Sequence, residues 1–435
     1  MIIIFSDCKT FTSMNSKERV QKALNHQSPD RIPMDFGSTG VTGIHILVVE
    51  KLRQHFGLPS HPVKAIEPYQ MLGEVDEDLK QALGIDTDSI GPKNNMFGIS
   101  QEGWKEWKTH WGQEVLVPAN FNLSHDDQGS AYIYPEGDTS VPPSAKMPKD
   151  SYFFDAIIRQ EPIDEEKLKV EDNLQEFKEW TQEDIEYWQS QLPLIKNSER
   201  AVIGNFGGTA LGDIALVPAM FLKHPKGIRD IEEWYISTII RSEYVKELFD
   251  RQSDIAVRNL EKAYQVIGNA IDVLFICGTD FGTQDSTFCS TDTYREIWLP
   301  YYQKITQWIH SNTNWKVFKH SCGAVESLLD LFIESGFDIL NPVQINAAGM
   351  DSTLLKEKYG EKLTFWGGGV DTQHVLAFDS PAAVREQVLR QCEIFGKNGG
   401  FVFNTVHNIQ ANVPLENVLA MFSALAEFNE SEILI

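Results

Sequence analysis

In the stretch WKVFKHSCGAV, residues 315–325, an apolar run ends in His320, Ser321, Cys322 and Gly323. His320 and Cys322 are two residues apart, so on an extended strand their side chains point the same way. Imidazole nitrogen and thiolate sulfur are both zinc donors, and catalytic zinc sites use three protein ligands and leave one position open. A lone His-x-Cys is a weak motif, so a third ligand must come from another strand end. His407, just past GFVFNT, is better placed than Cys277, inside an apolar strand body, or Cys289, in a loop leading into a helix. Cys392 lies on an amphipathic helix and reads as packing. Plainer alternatives stay open at this point: His407 as a loop cap, and Asp280 as a turn residue in GTDFGTQ.

These residues need strands to position them. Eight short apolar runs alternate with amphipathic stretches: RIPMDFG (31–37), IDTDSIGP (85–92), AVIGNF (201–206), DVLFICG (272–278), KVFKHSC (316–322), DILNPVQ (338–344), LTFWGGG (363–369) and GFVFNTV (400–406). Most are almost continuously apolar, as parallel strands buried on both faces must be. The pattern predicts an α/β chain folded as a single (β/α)8 TIM-type barrel. An open doubly wound sheet fits less well, because no G-x-G-x-x-G follows the first strand. Polar residues gather where the C-terminal ends of the strands fall: Asp35 and Ser38; Asn205; Asp280, Thr283 and Gln284; His320 and Cys322; Asn341 and Gln344; Asp371 and Gln373; His407, Asn408 and Gln410. In a barrel that is the catalytic end, and the distribution points to an enzyme rather than a scaffold.

Residues 93–160 break the rhythm with Trp-, Tyr- and Gly-rich hairpin and loop material. An insertion there, after the second strand, is expected over the barrel mouth, with at least two of Trp104, Trp107 and Trp111 forming its own small core. The opening residues 1–13 read as an upstream extension, with Met14 as the start of a barrel spanning 14–435 and Asn15 or Ser16 as its first helix cap.

The chain has 435 residues and a net charge of −24, which argues against nucleic-acid binding and makes a polyanionic substrate uncomfortable. Five cysteines without framework spacing point to a reducing, cytoplasmic setting. No apolar run reaches the roughly 18 residues of a membrane span, so no membrane association is expected.

The segments KVFKHSCGAVESLLDLFIESGFDILNPVQINAAGMD, FWGGGVDTQ and GGFVFNTVHNIQANVP resemble the uroporphyrinogen decarboxylase-like superfamily. The resemblance runs from Met14 to the C-terminus, most specific over 270–415 and weakest over 93–160. It implies a TIM-type barrel and two candidate activities. The decarboxylase branch carries an arginine-bearing N-terminal motif that receives carboxylates; here DRIPMDFGSTGVTGIH has Arg31 before the strand and no arginine after it. The zinc-dependent methyltransferase branch works with corrinoid proteins, using a His-x-Cys after the fifth strand and a cysteine after the eighth. His320 and Cys322 match the first pair, and His407 stands where those enzymes have cysteine. That departure leaves one thiolate in place of two, so a bound zinc keeps one net positive charge and is the stronger Lewis acid.

The resemblance therefore implies zinc-dependent methyl transfer between a small methylated compound, such as an aryl methyl ether, or a thiol, and a corrinoid (cobalamin) carried by a separate partner protein, since no D-x-H-x-x-G motif occurs in this chain. Asp280 and Asp35 are the candidate catalytic carboxylates, and Asn205, Gln284, Gln344, Asp371 and Gln410 the candidate substrate-binding residues. A metal-free decarboxylase or lyase acting on a smaller carboxylated substrate is the alternative. A homodimer is compatible with either.

Overall fold

A computed structural model describes residues 14–430, apart from the side chain of Cys277; residues 1–13 lie outside the described residues. Seven parallel strands form one sheet in strict chain order: Thr87–Ile90, Ala201–Gly204, Val273–Cys277, Lys316–His320, Ile339–Asn341, Thr364–Trp366 and Phe401–Val402. The eighth stave is the 31–37 segment, reduced to a bridge. Met34 pairs in parallel with Phe403, Asp35 N–H donates to the Phe403 carbonyl, and Asp86 N–H donates to the Met34 carbonyl. The segment thus joins the last strand to the second and closes a (β/α)8 barrel, all eight expected strands being present.

The N-terminal end of the barrel is plugged. Helix Ser16–Leu24 starts at Asn15, whose side chain and that of Glu18 form a reciprocal capping box. Its Val20, Ala23 and Leu24 pack into an interior layer of Ala201, Ile203, Val273, Phe318, Ile339, Trp366 and Val402. Beside the plug, Asp86 is fully buried and accepts Arg19 at 2.7 Å and Arg31 at 2.8 Å, while its second oxygen accepts Met34 N–H at 3.0 Å. One carboxylate therefore ties the first helix, the closing stave and the second strand together.

The insertion pairs with strands that lie outside it. Hairpin strands Trp104–Lys108 and Glu114–Pro118 join Val63–Glu67 and Leu72–Gly73, which precede the second barrel strand, in one mixed sheet. The reason is alternation: Val63 and Ala65 face inward beside Val115 and Val117. A second antiparallel sheet contains Leu123–His125, Ala131–Ile133, Ala145–Met147 and Asp155–Ala156. Trp107 packs on Phe121 at 5.2 Å between ring centres and Trp111 on Tyr152 at 5.1 Å. The insertion is held to the barrel by buried His45, whose Nδ1 caps helix Ile46–His55 by accepting Leu47 N–H at 3.2 Å and whose Nε2 donates to the Tyr152 carbonyl at 3.1 Å. Among the described residues no helix is long and apolar enough to cross a membrane.

Two outcomes are expected. Asp86→Ala leaves Arg31 without its carboxylate and Arg19 with Asp30 alone, and should cost about 3 kcal/mol, above Arg31→Ala, measured as urea midpoints. Burial depresses the His45 pKa from 6.5 to about 4, so the unfolded chain takes up the proton first as pH falls. Stability present above pH 6.5 should be lost toward pH 4, by on the order of 3 kcal/mol, and His45→Asn should flatten that slope.

Candidate metal centre

The fifth strand, Lys316–His320, alternates in the way a barrel stave must. Phe318 and His320 point inward, Phe318 into the interior layer, whereas Lys319 points toward the helices. His320 is thereby lifted one layer above the apolar interior, at the mouth, and only 3% exposed. Cys322 follows just past the strand, and its Sγ lies 3.4 Å from His320 Nε2. From the loop after the eighth strand, the His407 ring approaches His320 with ring centres 5.4 Å apart.

One ligand atom from each of His320, Cys322 and His407 lies within 4.8 Å of the other two. Tetrahedral zinc with ordinary bond lengths separates its ligand atoms by roughly 3.3–3.6 Å, so the pair at 3.4 Å already fits and the third closes with a shift of about 1 Å. Among the described residues, this is the group of histidine, cysteine and carboxylate side chains that could hold an ion.

The surroundings orient the donors. Asn341, on the sixth strand, donates from Nδ2 to the Trp366 carbonyl at 2.8 Å, which fixes its amide and turns Oδ1 toward His320 Nδ1 at 2.7 Å. His320 must then carry its proton on Nδ1 and present a bare Nε2 to the site. His407 Nδ1 accepts Asn408 N–H at 2.8 Å, so the neutral ring holds its proton on Nε2. A metal binding at Nδ1 replaces that hydrogen bond; one binding at Nε2 moves the proton and breaks it. The backbone beyond the thiol is clamped: Cys322 N–H donates to Asp280 Oδ1 and Gly323 N–H to Gln344 Oε1, both at 2.7 Å. Gly323 has φ +90°, and a Cβ there would overlap the Gly282 carbonyl group.

Charge follows burial. Desolvation lowers the His320 pKa to about 4. It lowers that of His407 too, reinforced by the neighbouring His320. The Cys322 thiol is pushed well up, first by burial and then by the Asp280 carboxylate, with Lys319 opposing. Both imidazoles are thus neutral, ready to donate lone pairs, and the thiol lacks the positive charge that ionises it.

Other predicted residues divide by place. Asp280 belongs to the centre, its Oδ1 3.7 Å from His320 Nε2. Gln344 and Gln284 form the clamp, with Gln344 donating to Gln284 Oε1 at 3.0 Å and Gln284 to the Asn346 carbonyl at 2.5 Å. Asp35 lies deeper, fully buried, accepting Thr87 Oγ1 at 2.8 Å and Trp366 Nε1 at 3.0 Å, with burial raising its pKa. Asn205 closes its own turn by accepting Gly207 N–H at 3.0 Å. Asp371 organises another loop, accepting Gln373 N–H at 2.7 Å and pairing with His374 Nδ1 at 2.9 Å. Gln410 lines a cavity of about 800 Å³ between the insertion turn at Tyr152 and Phe153 and the loop after the eighth strand. Cys289 is half-buried with its thiol pKa raised to about 12 by desolvation, and Cys392 is buried in its helix, both outside the cluster. The side chain of Cys277 lies outside the described residues.

Two residues near the centre escaped the sequence reading. Lys319 is fully buried, bonds the carbonyls of Thr279 and His320, and sits over the rings of Phe281, Phe332 and Phe337 at 4.8–5.9 Å. A lysine inside an apolar strand was the available signal. The other is Asp213, in the loop after the third strand.

A profile described as uroporphyrinogen decarboxylase (URO-D) matches residues 158–428. No curated protein matches the chain. A solved structure, "methyltransferase from Methanosarcina mazei", shares the fold with a TM-score of 0.52 at 16% identity, over 95% of this chain and 99% of that one.

Gly323→Ala should destabilise the protein by about 2 kcal/mol or more, because both the left-handed backbone and the Gly282 contact oppose a side chain. A thermal midpoint equal to that of the parent protein would show that the turn after Cys322 is not held in this way.

Proposed function

The chain belongs to the uroporphyrinogen decarboxylase family, and from that premise we propose that it is a zinc-dependent methyltransferase moving a methyl group between a small methylated compound and a corrinoid protein. The observation that carries the reading is the convergence of His320, Cys322 and His407 on one point at the barrel mouth. Zinc held there would supply Lewis acidity, either lowering a thiol pKa or polarising an ether oxygen. The chain's own residues do the rest. Asn341 keeps His320 Nε2 unprotonated, Asp280 and Gln344 fix the Cys322 loop, and Gln284 ties that loop to the next. The cavity lined by Gln410 abuts the loop that carries His407, and Asn408, adjacent to His407, bonds Gln70 in the wall of that cavity at 2.9 Å. The corrinoid arrives on a separate chain.

The second reading, a metal-free decarboxylase or lyase, draws on the family's own description. Against it, Arg31 is committed to Asp86 at the opposite end of the barrel and is unavailable to a substrate carboxylate at the mouth.

Purified protein should contain about one zinc per chain. Cys322→Ala should remove most of it and His407→Ala a large share, measured by elemental analysis, and both should abolish methyl transfer from an aryl methyl ether to cob(I)alamin. Full zinc occupancy in both variants refutes the ligand set. Activity on a carboxylated substrate that survives a strong chelator supports the lyase instead.

A further inference from the structure

The cavity of about 800 Å³ beside the insertion has walls of one chemical character. Three segments form it: the turn carrying Tyr69 and Gln70, the insertion turn through Asp150, Tyr152 and Phe153, and the 410–412 loop after the eighth strand. Hydrogen bonds hold these segments in place. Phe154 N–H donates to the Tyr69 carbonyl at 2.8 Å, His45 Nε2 to the Tyr152 carbonyl at 3.1 Å, and Asn408 Nδ2 to Gln70 Oε1 at 2.9 Å. On this fixed turn Tyr152 and Phe153 are 38% and 43% exposed, two adjacent aromatic side chains that the chain leaves partly uncovered. Charge on the walls is of one sign. Asp150 is the charged side chain among the described residues that line the cavity, and no lysine or arginine joins it there. Lys149, next to it in the chain, runs against Gly129 instead. Two histidines back Tyr152, His45 with ring centres 6.0 Å apart and His110 with ring centres 6.4 Å apart. Burial lowers the pKa of both, to about 4 for His45, so neither brings a positive charge to the wall at neutral pH.

Aromatic faces are negative at their centres, and rings from Tyr69, Tyr152 and Phe153 border the same space as the Asp150 carboxylate. A carboxylate or phosphate would find no counter-ion there, and the chain's net charge of −24 adds to the repulsion. A cation with apolar surface meets both features of the wall. The rings attract its charge and cover its methyl groups, and Asp150 neutralises it. We propose that the cavity binds a small organic cation, a methylated ammonium held against the rings of Tyr69, Tyr152 and Phe153 with Asp150 as its counter-ion. Gln410 and Asn412 complete the wall with amides able to bond a hydroxyl elsewhere on the ligand. Binding of this kind needs no step at the metal centre, so it holds or fails apart from methyl transfer.

Choline and its uncharged isostere 3,3-dimethylbutan-1-ol separate charge from fit. Titration calorimetry on the full chain should show choline binding roughly tenfold tighter than the alcohol, and added salt should weaken choline alone. Asp150→Asn should weaken choline roughly fivefold and leave the alcohol unchanged. Phe153→Leu, which keeps apolar bulk and removes the ring, should weaken choline roughly threefold. Both positions are exposed, so both variants should keep the thermal midpoint of the parent protein. Equal affinities for choline and the alcohol, tighter binding of the neutral ring 4-methoxyphenol than of choline, or an unchanged choline affinity in either variant would overturn the proposal. So would a failure of choline to bind at millimolar concentration.

Discussion

Closure of the sheet is the constraint on which the site depends. The fifth and eighth strands are separated by two others, and at about 4.8 Å per strand a flat sheet would hold their ends roughly 14 Å apart. In the barrel the His320 and His407 rings are 5.4 Å apart, centre to centre. The difference comes from curling the sheet until Met34 can pair with Phe403 on one side and receive Asp86 on the other. A two-residue bridge thus does at the seam what longer ladders do elsewhere, and the buried Asp86 with its two arginines reinforces it from the N-terminal end.

Electrostatics then makes the two ends of the barrel different. At the plugged end the buried acid is matched by Arg19, Arg31 and a backbone donor, and nothing is left to react. At the mouth, two imidazoles are too deeply buried to charge, and a thiol lies beside a carboxylate rather than a cation. A divalent ion, as proposed, would resolve both problems at once, accepting the lone pairs and ionising the thiol. Lys319 contributes positive charge from behind the strand, but its ammonium is held by two carbonyls and three aromatic rings and does not enter the space between the ligands.

The parts legible in the sequence are those with a short period. Parallel strands buried on both faces leave apolar runs, and all eight runs became staves. Position at or just after a strand's C-terminal end placed His320, Cys322 and His407, although Cys322 lies past the strand Lys316–His320 and not on its two-residue repeat. Depth was not legible in this way. Asp35 reads as a strand-end acid, yet Asp35 N–H still bonds Phe403 and its carboxylate is consumed by Thr87 and Trp366 below the mouth. Asn205 and Asp371 spend their oxygens on their own turns, a use that any loop polar residue shares. The insertion's reach back to Val63–Glu67 depended on a parallel pairing across about 50 residues, which no local pattern records.

On the proposed ligand set, His407 standing where the resemblance implies a cysteine also bears on how tightly a zinc ion would be held. Asn341 presets His320 for coordination, whereas His407 spends its Nδ1 on the backbone of its own loop. Binding a metal therefore costs the second histidine a hydrogen bond or a proton shift that the first has already arranged. The neighbouring Asn408 is pinned to Gly43, Gly40 and Gln70, so the adjustment falls on the His407 ring rather than on the chain. A centre with one prepared and one unprepared imidazole should bind zinc less tightly than one with a second thiolate, and keep the more electrophilic ion in exchange.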